Sequence, residues 1–197
     1  TNYGKMGMIV LIGVVLVYVF HNFMGLDLIG GFIFASAIAV PALIITDGSL
    51  SKDEKERIWV IFILAFFVVF FWSAFEQAGA SLTIFADKQT DRHIGSWEMP
   101  ASWFQSINPL GIILLAPLFS SMWVGMNRRK MEPSSPLKMA AGLALLCLGY
   151  IVIAVGVNGV DASTKISMWW LITLYILHTM GELCLSPIGL SMVSKLA

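Results

Sequence analysis

A chain of 197 residues, 58% hydrophobic and only 12% charged, is not an ordinary water-soluble domain, where about a quarter of residues carry charge. Its 12 basic and 12 acidic residues cancel, so nothing points to a polyanion, and no nucleic-acid partner is expected. Cys147 and Cys184 both fall in apolar runs and read as small core residues, which argues against a disulfide framework.

The first apolar run, Met6 to Phe20, closes on His21-Asn22, and the second, Leu28 to Ile45, is interrupted by Pro41. Each is near the lower limit for a membrane span, so the first could be tilted or partly interfacial. Gly31, Ala35 and Ala39 recur at four-residue spacing, a small-residue face suited to close helix packing. Residues 1–46 therefore read as a transmembrane helix pair, peripheral to any pathway because its interior holds no charge. The segment 47–57, DGSLSKDEKER, is a polar linker. In it Ser51 followed by Glu54 spells a capping box that would start the next helix early.

The third span is predicted over 58–86, longer than a bilayer needs, so it should tilt or project. The loop after it carries Asp87, Asp91, His93 and Glu98, read as solvated, with Trp97 and Trp103 at the membrane interface. The fourth span, 101–123, contains FQSINP. Pro109 and Pro117 lack an N–H and should free the carbonyls of Gln105 and Ile113, which is tolerated where they face protein or a cavity. The fifth, 137–157, is a plain mixture of Ala, Leu, Gly, Val and Ile, and the sixth, 168–194, carries GELCLSPIGLSM. The expected fold is all-α and integral to a membrane, with six membrane helices.

Two acids lie inside the spans, Glu76 and Glu182, with no Lys or Arg at their depth. Ionisable residues in spans are costly and usually mark a pathway. On one continuous helix Trp72, Glu76, Gly79, Ala80 and Thr83 share a face that is small and polar apart from the Trp. Glu182 lies one turn after His178 and one turn before Ser186, and Pro187 should break the helix locally by freeing the Leu183 carbonyl. A carboxylate, a free carbonyl and a hydroxyl at one depth suit an ammonium group. The plain alternative for either acid is a hydrogen bond to a neighbouring helix. His178 and Glu182 are two potential metal ligands without a third, so no metal is expected, and no organic cofactor either. An enzyme or a proton-passing respiratory subunit would want a nucleophile–base pair or haem-spaced histidines, and neither pattern is present. Two acid-bearing, interrupted helices are what a secondary transporter needs, with protons as the coupling ion. A non-transport membrane scaffold is the remaining alternative.

The runs FWSAFEQAGASLTIFAD, FQSINPLGIILLAPLF and GELCLSPIGLSMVSKLA closely resemble the proton-dependent oligopeptide transporters of the major facilitator superfamily. The resemblance covers Arg57 to Ala197 and implies that the four helices of 58–197 are helices seven to ten of such a transporter, part of its C-terminal half. Residues 1–46 then resemble the extra helix pair that bacterial members carry between the two halves. The resemblance implies roles: Trp72 and Glu76 match the Trp and Glu of helix seven, the Glu serving proton coupling. Asn108 matches a peptide-contacting Asn of helix eight, and Glu182 the helix-ten Glu that binds the peptide amino terminus. Ser186 lies one turn on, lining the same site. The implied function is proton-coupled import of di- and tripeptides, with another small solute as the alternative cargo. Helices one to six, eleven and twelve have no counterpart in this sequence, which starts without Met and stops just past a span. The expectation is a fragment that does not transport alone and self-associates through faces meant for the missing helices, in contact with membrane lipid.

If the six runs alternate across the membrane, nine Lys and Arg fall on one side and three on the other. The positive-inside rule then puts segments 47–57 and 125–136 in the cytoplasm, in a bacterial inner membrane. In intact cells an impermeant thiol reagent should label a cysteine placed at position 92 and spare those at 55 and 129. Labelling at 129 but not at 92 would reverse the orientation.

Overall fold

The computed structural model describes residues 3–161 and 163–196, with side chains described for 4, 7–161 and 163–185. Among these are six helical stretches long and apolar enough to cross a membrane. The chain divides into two compact units, 1–62 and 63–197, the division falling inside the third helix.

In the first unit α1 (Tyr3–Met24) runs past Phe20, through His21 and Asn22, to a left-handed Gly25 at φ 69°. Its 22 residues give about 33 Å of helix, enough to span without help from the interface. Asp27 caps α2 (Leu28–Ile45) by accepting from the Gly30 amide at 2.8 Å. Gly31, Ala35 and Ala39 are the buried residues of α2, as their spacing predicts. A Cβ on Gly31 would come within 3.3 Å of the Val17 carbonyl, so α1 and α2 pack backbone to backbone there. Helix α3 (Lys52–Phe75) does begin before Ile58. The Ser51 hydroxyl and amide both donate to the Glu54 carboxylate at 2.7 Å, while the Glu54 amide donates to Ser51 Oγ at 3.3 Å, a reciprocal capping box.

The second unit is organised on the last helix. Helix α6 (Ser135–Val157) lies antiparallel along α7 (Met168–Leu196), and glycine sets their separation. A Cβ on Gly142 would sit 2.7 Å from the Gly181 carbonyl, and one on Gly181 would sit 2.8 Å from the Gly142 carbonyl. Further along, a Cβ on Gly149 would strike the His178 ring at 2.6 Å, and one on Gly156 the Trp170 ring at 2.7 Å. The three glycines of α6 are seven residues apart, two helical turns, so one stripe of α6 meets α7 along its length.

Two apolar clusters flank this pair. Phe71, Met139, Leu146 and Leu185 form one, at the end of α3. Leu82, Ala86, Phe104, Leu171, Leu174 and Tyr175 form the other. It joins α7 to α4 (Ser81–Gln89) and to a 3₁₀ turn, Ala101–Ser106. Two short strands, β1 (Thr90–Asp91) and β4 (Ile166–Ser167), pair in parallel and tie the exit of α4 to the entry of α7. Between α4 and the 3₁₀ turn, β2 (His93–Ile94) and β3 (Trp97–Glu98) make a hairpin around Gly95.

Four expectations change. The acids of the 87–100 loop are solvated, but two of them, Asp87 and Glu98, flank a buried cation, while Asp91 accepts from the His93 amide at 3.2 Å. Arg92, its side chain 10% exposed, holds Asp87 at 3.0 Å and Glu98 at 2.8 Å and donates to the Met99 carbonyl at 2.8 Å. Pro109 does not interrupt a helix: it falls in the first turn of α5 (Ile107–Arg128), where no backbone N–H is needed. The interruption in FQSINP is instead a change from 3₁₀ to α geometry. Helix α7 passes through position 187 unbroken. Finally, α6 starts at Ser135, ahead of the predicted span, and Lys138 in its first turn is buried, ion-paired with Glu132 and 4.5 Å from the centre of the Trp123 ring.

Gly142→Val should destabilise the protein by about 1–3 kcal/mol, because the added carbons meet the backbone of α7 rather than a side chain that can move. Gly125→Ala, on α5 with nothing within 4 Å of the added carbon, should be neutral or stabilising by up to about 1 kcal/mol. Thermal unfolding in one detergent compares the two; equal losses would mean the α6–α7 contact is not tight.

Candidate functional site

The stretch around Glu76 is not one continuous helix. Helix α3 ends at Phe75, Glu76–Gly79 forms a single 3₁₀ turn, and Ala80 leaves helical geometry at φ −119°, ψ −99° before α4 begins. A helix that stops inside the apolar layer leaves carbonyls that need donors. They find hydroxyls. Tyr150 of α6 donates to the Ala74 carbonyl at 2.6 Å, and Tyr175 of α7 donates to the Ala78 carbonyl at 3.3 Å. Thr83 also donates to Ala78, at 2.8 Å. The face predicted for an unbroken helix is therefore divided. Trp72 stays on α3 beside Phe75, ring centres 5.2 Å apart, while Thr83 turns toward the 3₁₀ turn and accepts from the Gln105 amide at 2.8 Å.

Glu76 sits at the start of the break, exposed, with no hydrogen bond or ion pair among the described residues. Its neighbour Gln77 is bonded on both sides, donating to the Ser73 carbonyl at 3.2 Å and accepting from Ser81 at 2.8 Å. Phe75 continues inward to His178, ring centres 6.1 Å apart, and His178 lies 4.9 Å from the Tyr150 ring. His178 is only 2% exposed, wedged against Gly149. Neither ring nitrogen has a hydrogen bond of good geometry, although the Leu146 backbone stands near. Among the described residues no group of three or more His, Cys, Asp or Glu could hold a metal.

One turn past His178, α5 and α7 bring two of the predicted residues together. The Asn108 side-chain amide donates to the Glu182 carboxylate at 2.8 Å, across 74 residues of sequence. It also donates to Thr179 Oγ1 at 3.2 Å. Gly111 makes the approach possible, since a Cβ there would sit 3.0 Å from the Thr179 methyl. The acid of α7 is thus bonded to a neutral donor, both half-buried, with no Lys or Arg paired to it among the described residues. Such an arrangement suits a cationic ligand group. Trp72 and Glu76 are not bonded to this pair, and the side chain of Ser186 lies outside the described residues.

The POT family model matches residues 33–197. The chain belongs to the POT family. A POT relative, a peptide transporter of Yersinia enterocolitica, is 43% identical over 150 residues, 75% of this chain and 29% of its own length. A dipeptide and tripeptide permease B of Salmonella typhimurium is 28% identical over 147 residues, 75% of this chain and 30% of the relative. Among solved structures, a POT transporter in complex with 5-aminolevulinic acid superposes with a TM-score of 0.75 at 32% identity, covering all of this chain and 42% of that one. The chain therefore spans about a third of the length of the curated POT relatives it matches. It is a multi-pass membrane protein with the POT fold over the part it covers.

Sequence reasoning missed Thr179, Tyr150 and Tyr175, because a hydroxyl inside an apolar run signals nothing until its carbonyl partner is known. It also read α6 as plain, although its seven-residue glycine spacing was visible. Tyr150→Phe keeps the ring and removes the donor to Ala74. It should cost about 1 kcal/mol in unfolding and speed hydrogen exchange of the amides at 76–80, with those of α6 unchanged. Unchanged exchange at 76–80 would mean the hydroxyl does not hold the break.

Proposed function

We propose that this chain is part of a proton-coupled symporter that imports di- and tripeptides by alternating access. The observation that carries the reading is the Asn108–Glu182 pair, an acid and an amide held together between two membrane helices with no cation paired to them among the described residues. A carboxylate so placed attracts the amino terminus of a peptide, and Asn108 adds a neutral partner. Trp72 belongs to the substrate site in this reading, and Ser186 is assigned to it by its position one turn after Glu182 in the sequence. Glu76, at a helix break and without a partner among the described residues, is the proton-coupling group, and protons are the only coupling ion invoked. No chemical step is catalysed.

Residues 58–197 supply helices seven to ten of the C-terminal half, 1–46 an inserted helix pair and 47–57 a cytoplasmic linker. Segment 125–136 is also cytoplasmic, and the membrane is a bacterial inner membrane. The cations that receive a peptide carboxylate come from helices outside this sequence, so these residues alone do not transport. A second reading, symport of another small amino-bearing solute, draws on the solved relative that holds 5-aminolevulinic acid. Both cargoes present the same ammonium group.

In the full-length transporter that includes this chain, Glu76→Gln should abolish proton-driven accumulation of a labelled dipeptide in liposomes while exchange persists. The Gln keeps shape and hydrogen bonding but cannot titrate. Uphill accumulation by the mutant would leave Glu76 a structural role only.

A further inference from the structure

The Glu182 site contains a hydrogen-bond ordering that decides which end of Asn108 a ligand meets. Thr179 is fully buried, and its hydroxyl donates its one proton to the Tyr175 carbonyl at 2.8 Å. With that proton committed, Thr179 Oγ1 has only lone pairs to offer Asn108, 3.2 Å away. Asn108 must therefore turn its NH₂ toward Thr179, and the same NH₂ gives its other hydrogen to Glu182 at 2.8 Å. Both hydrogens are then used, and the amide oxygen faces away from α7 with no partner among the described residues.

We infer that Thr179 is a specificity-determining positioning residue: through its bond to Tyr175 it fixes the Asn108 amide so that Asn108 Oδ1 and the free oxygen of Glu182 form a purely accepting pair for an ammonium group. This rests on the ammonium-binding reading above. Without Thr179 only Glu182 would orient the amide, and a protonated Glu182, which can donate as well as accept, would let it rotate and present its NH₂ to the ligand, a donor that repels an ammonium and welcomes a carbonyl. Thr179 does this whether or not Glu182 is charged, because its own proton is spent within α7. Gly111 keeps the geometry, since α5 lies against the Thr179 methyl and could not do so with a larger residue.

The test is competition by alanylalanine and by N-acetyl-alanylalanine against a labelled dipeptide, in the full-length transporter that includes this chain. Thr179→Val is isosteric and removes only the hydroxyl. It should reduce the preference for the free amino terminus on the order of five- to tenfold. Thr179→Ser, which retains the hydroxyl, should keep the wild-type preference, and Thr179→Ala, which cannot crowd Gly111, should behave as the valine variant does. A wild-type preference in both Val and Ala variants overturns the inference and leaves the ammonium reading intact. A wild type without preference for the free amino group overturns the ammonium reading, and the role of Thr179 falls with it.

Discussion

The close approach of α6 and α7 is the constraint on which the second unit depends. Two carbonyl oxygens, those of Gly142 and Gly181, each stand where the other helix would place a Cβ. In lipid no hydrophobic force pushes apolar helices together, so association rests on dispersion contacts and on backbones that can come near. Glycine at three levels of α6 supplies that nearness along the whole of the shared length. It also sets what each level of α7 can carry. His178 fits because Gly149 is bare, and Trp170 fits because Gly156 is. Glu182 lies next to the level where backbone meets backbone, so its backbone position is fixed by the Gly142–Gly181 contact before any ligand arrives.

From that pair the polar layout follows by satisfying backbone groups. Helix α3 ends inside the apolar layer, and a carbonyl left there without a donor costs about 1–3 kcal/mol. Tyr150 and Tyr175 project from the two packed helices and place their hydroxyls on the carbonyls of Ala74 and Ala78. The break at 76–80 is therefore held by the α6–α7 pair together with the local bonds of Gln77 and Thr83. Glu76 is at the first position of the break, where its backbone is anchored and its side chain has no partner among the described residues. The coupling role proposed for Glu76 needs that combination: a fixed place, and no permanent partner to settle its protonation state. The Glu182 end differs, because Asn108 and Thr179 hold the acid in a network of stated polarity.

Much of this was legible in the sequence. Long apolar runs gave the helices, and α2 has the bounds that its hydropathy predicts. The Ser51–Glu54 spacing gave the start of α3, and the two intramembrane acids marked the places where the chain departs from a plain bundle. Other features were not legible, for physical reasons. Periodicity assumes an unbroken helix, and the EQAGA sequence does not itself announce a 3₁₀ turn, since two of the donors that stabilise the break, Tyr150 and Tyr175, are about 75 to 100 residues away. Prolines were read as interruptions, yet Pro109 sits where a helix starts. Arg92 looked like one more loop charge, and only its carboxylate partners and the Met99 carbonyl make its burial tolerable.

What joins fold to proposed function is that α5 and α7 present Asn108 and Glu182 as one unit. A double-mutant cycle measures that directly: Asn108→Ala, Glu182→Ala and the pair, read as the affinity of a free-amino dipeptide for the full-length transporter. If the two side chains act together, the double mutant binds clearly better than the summed single losses require, with a coupling of about 1 kcal/mol or more. Additive losses would contradict it, and would make Asn108 and Glu182 two independent contacts that happen to lie side by side.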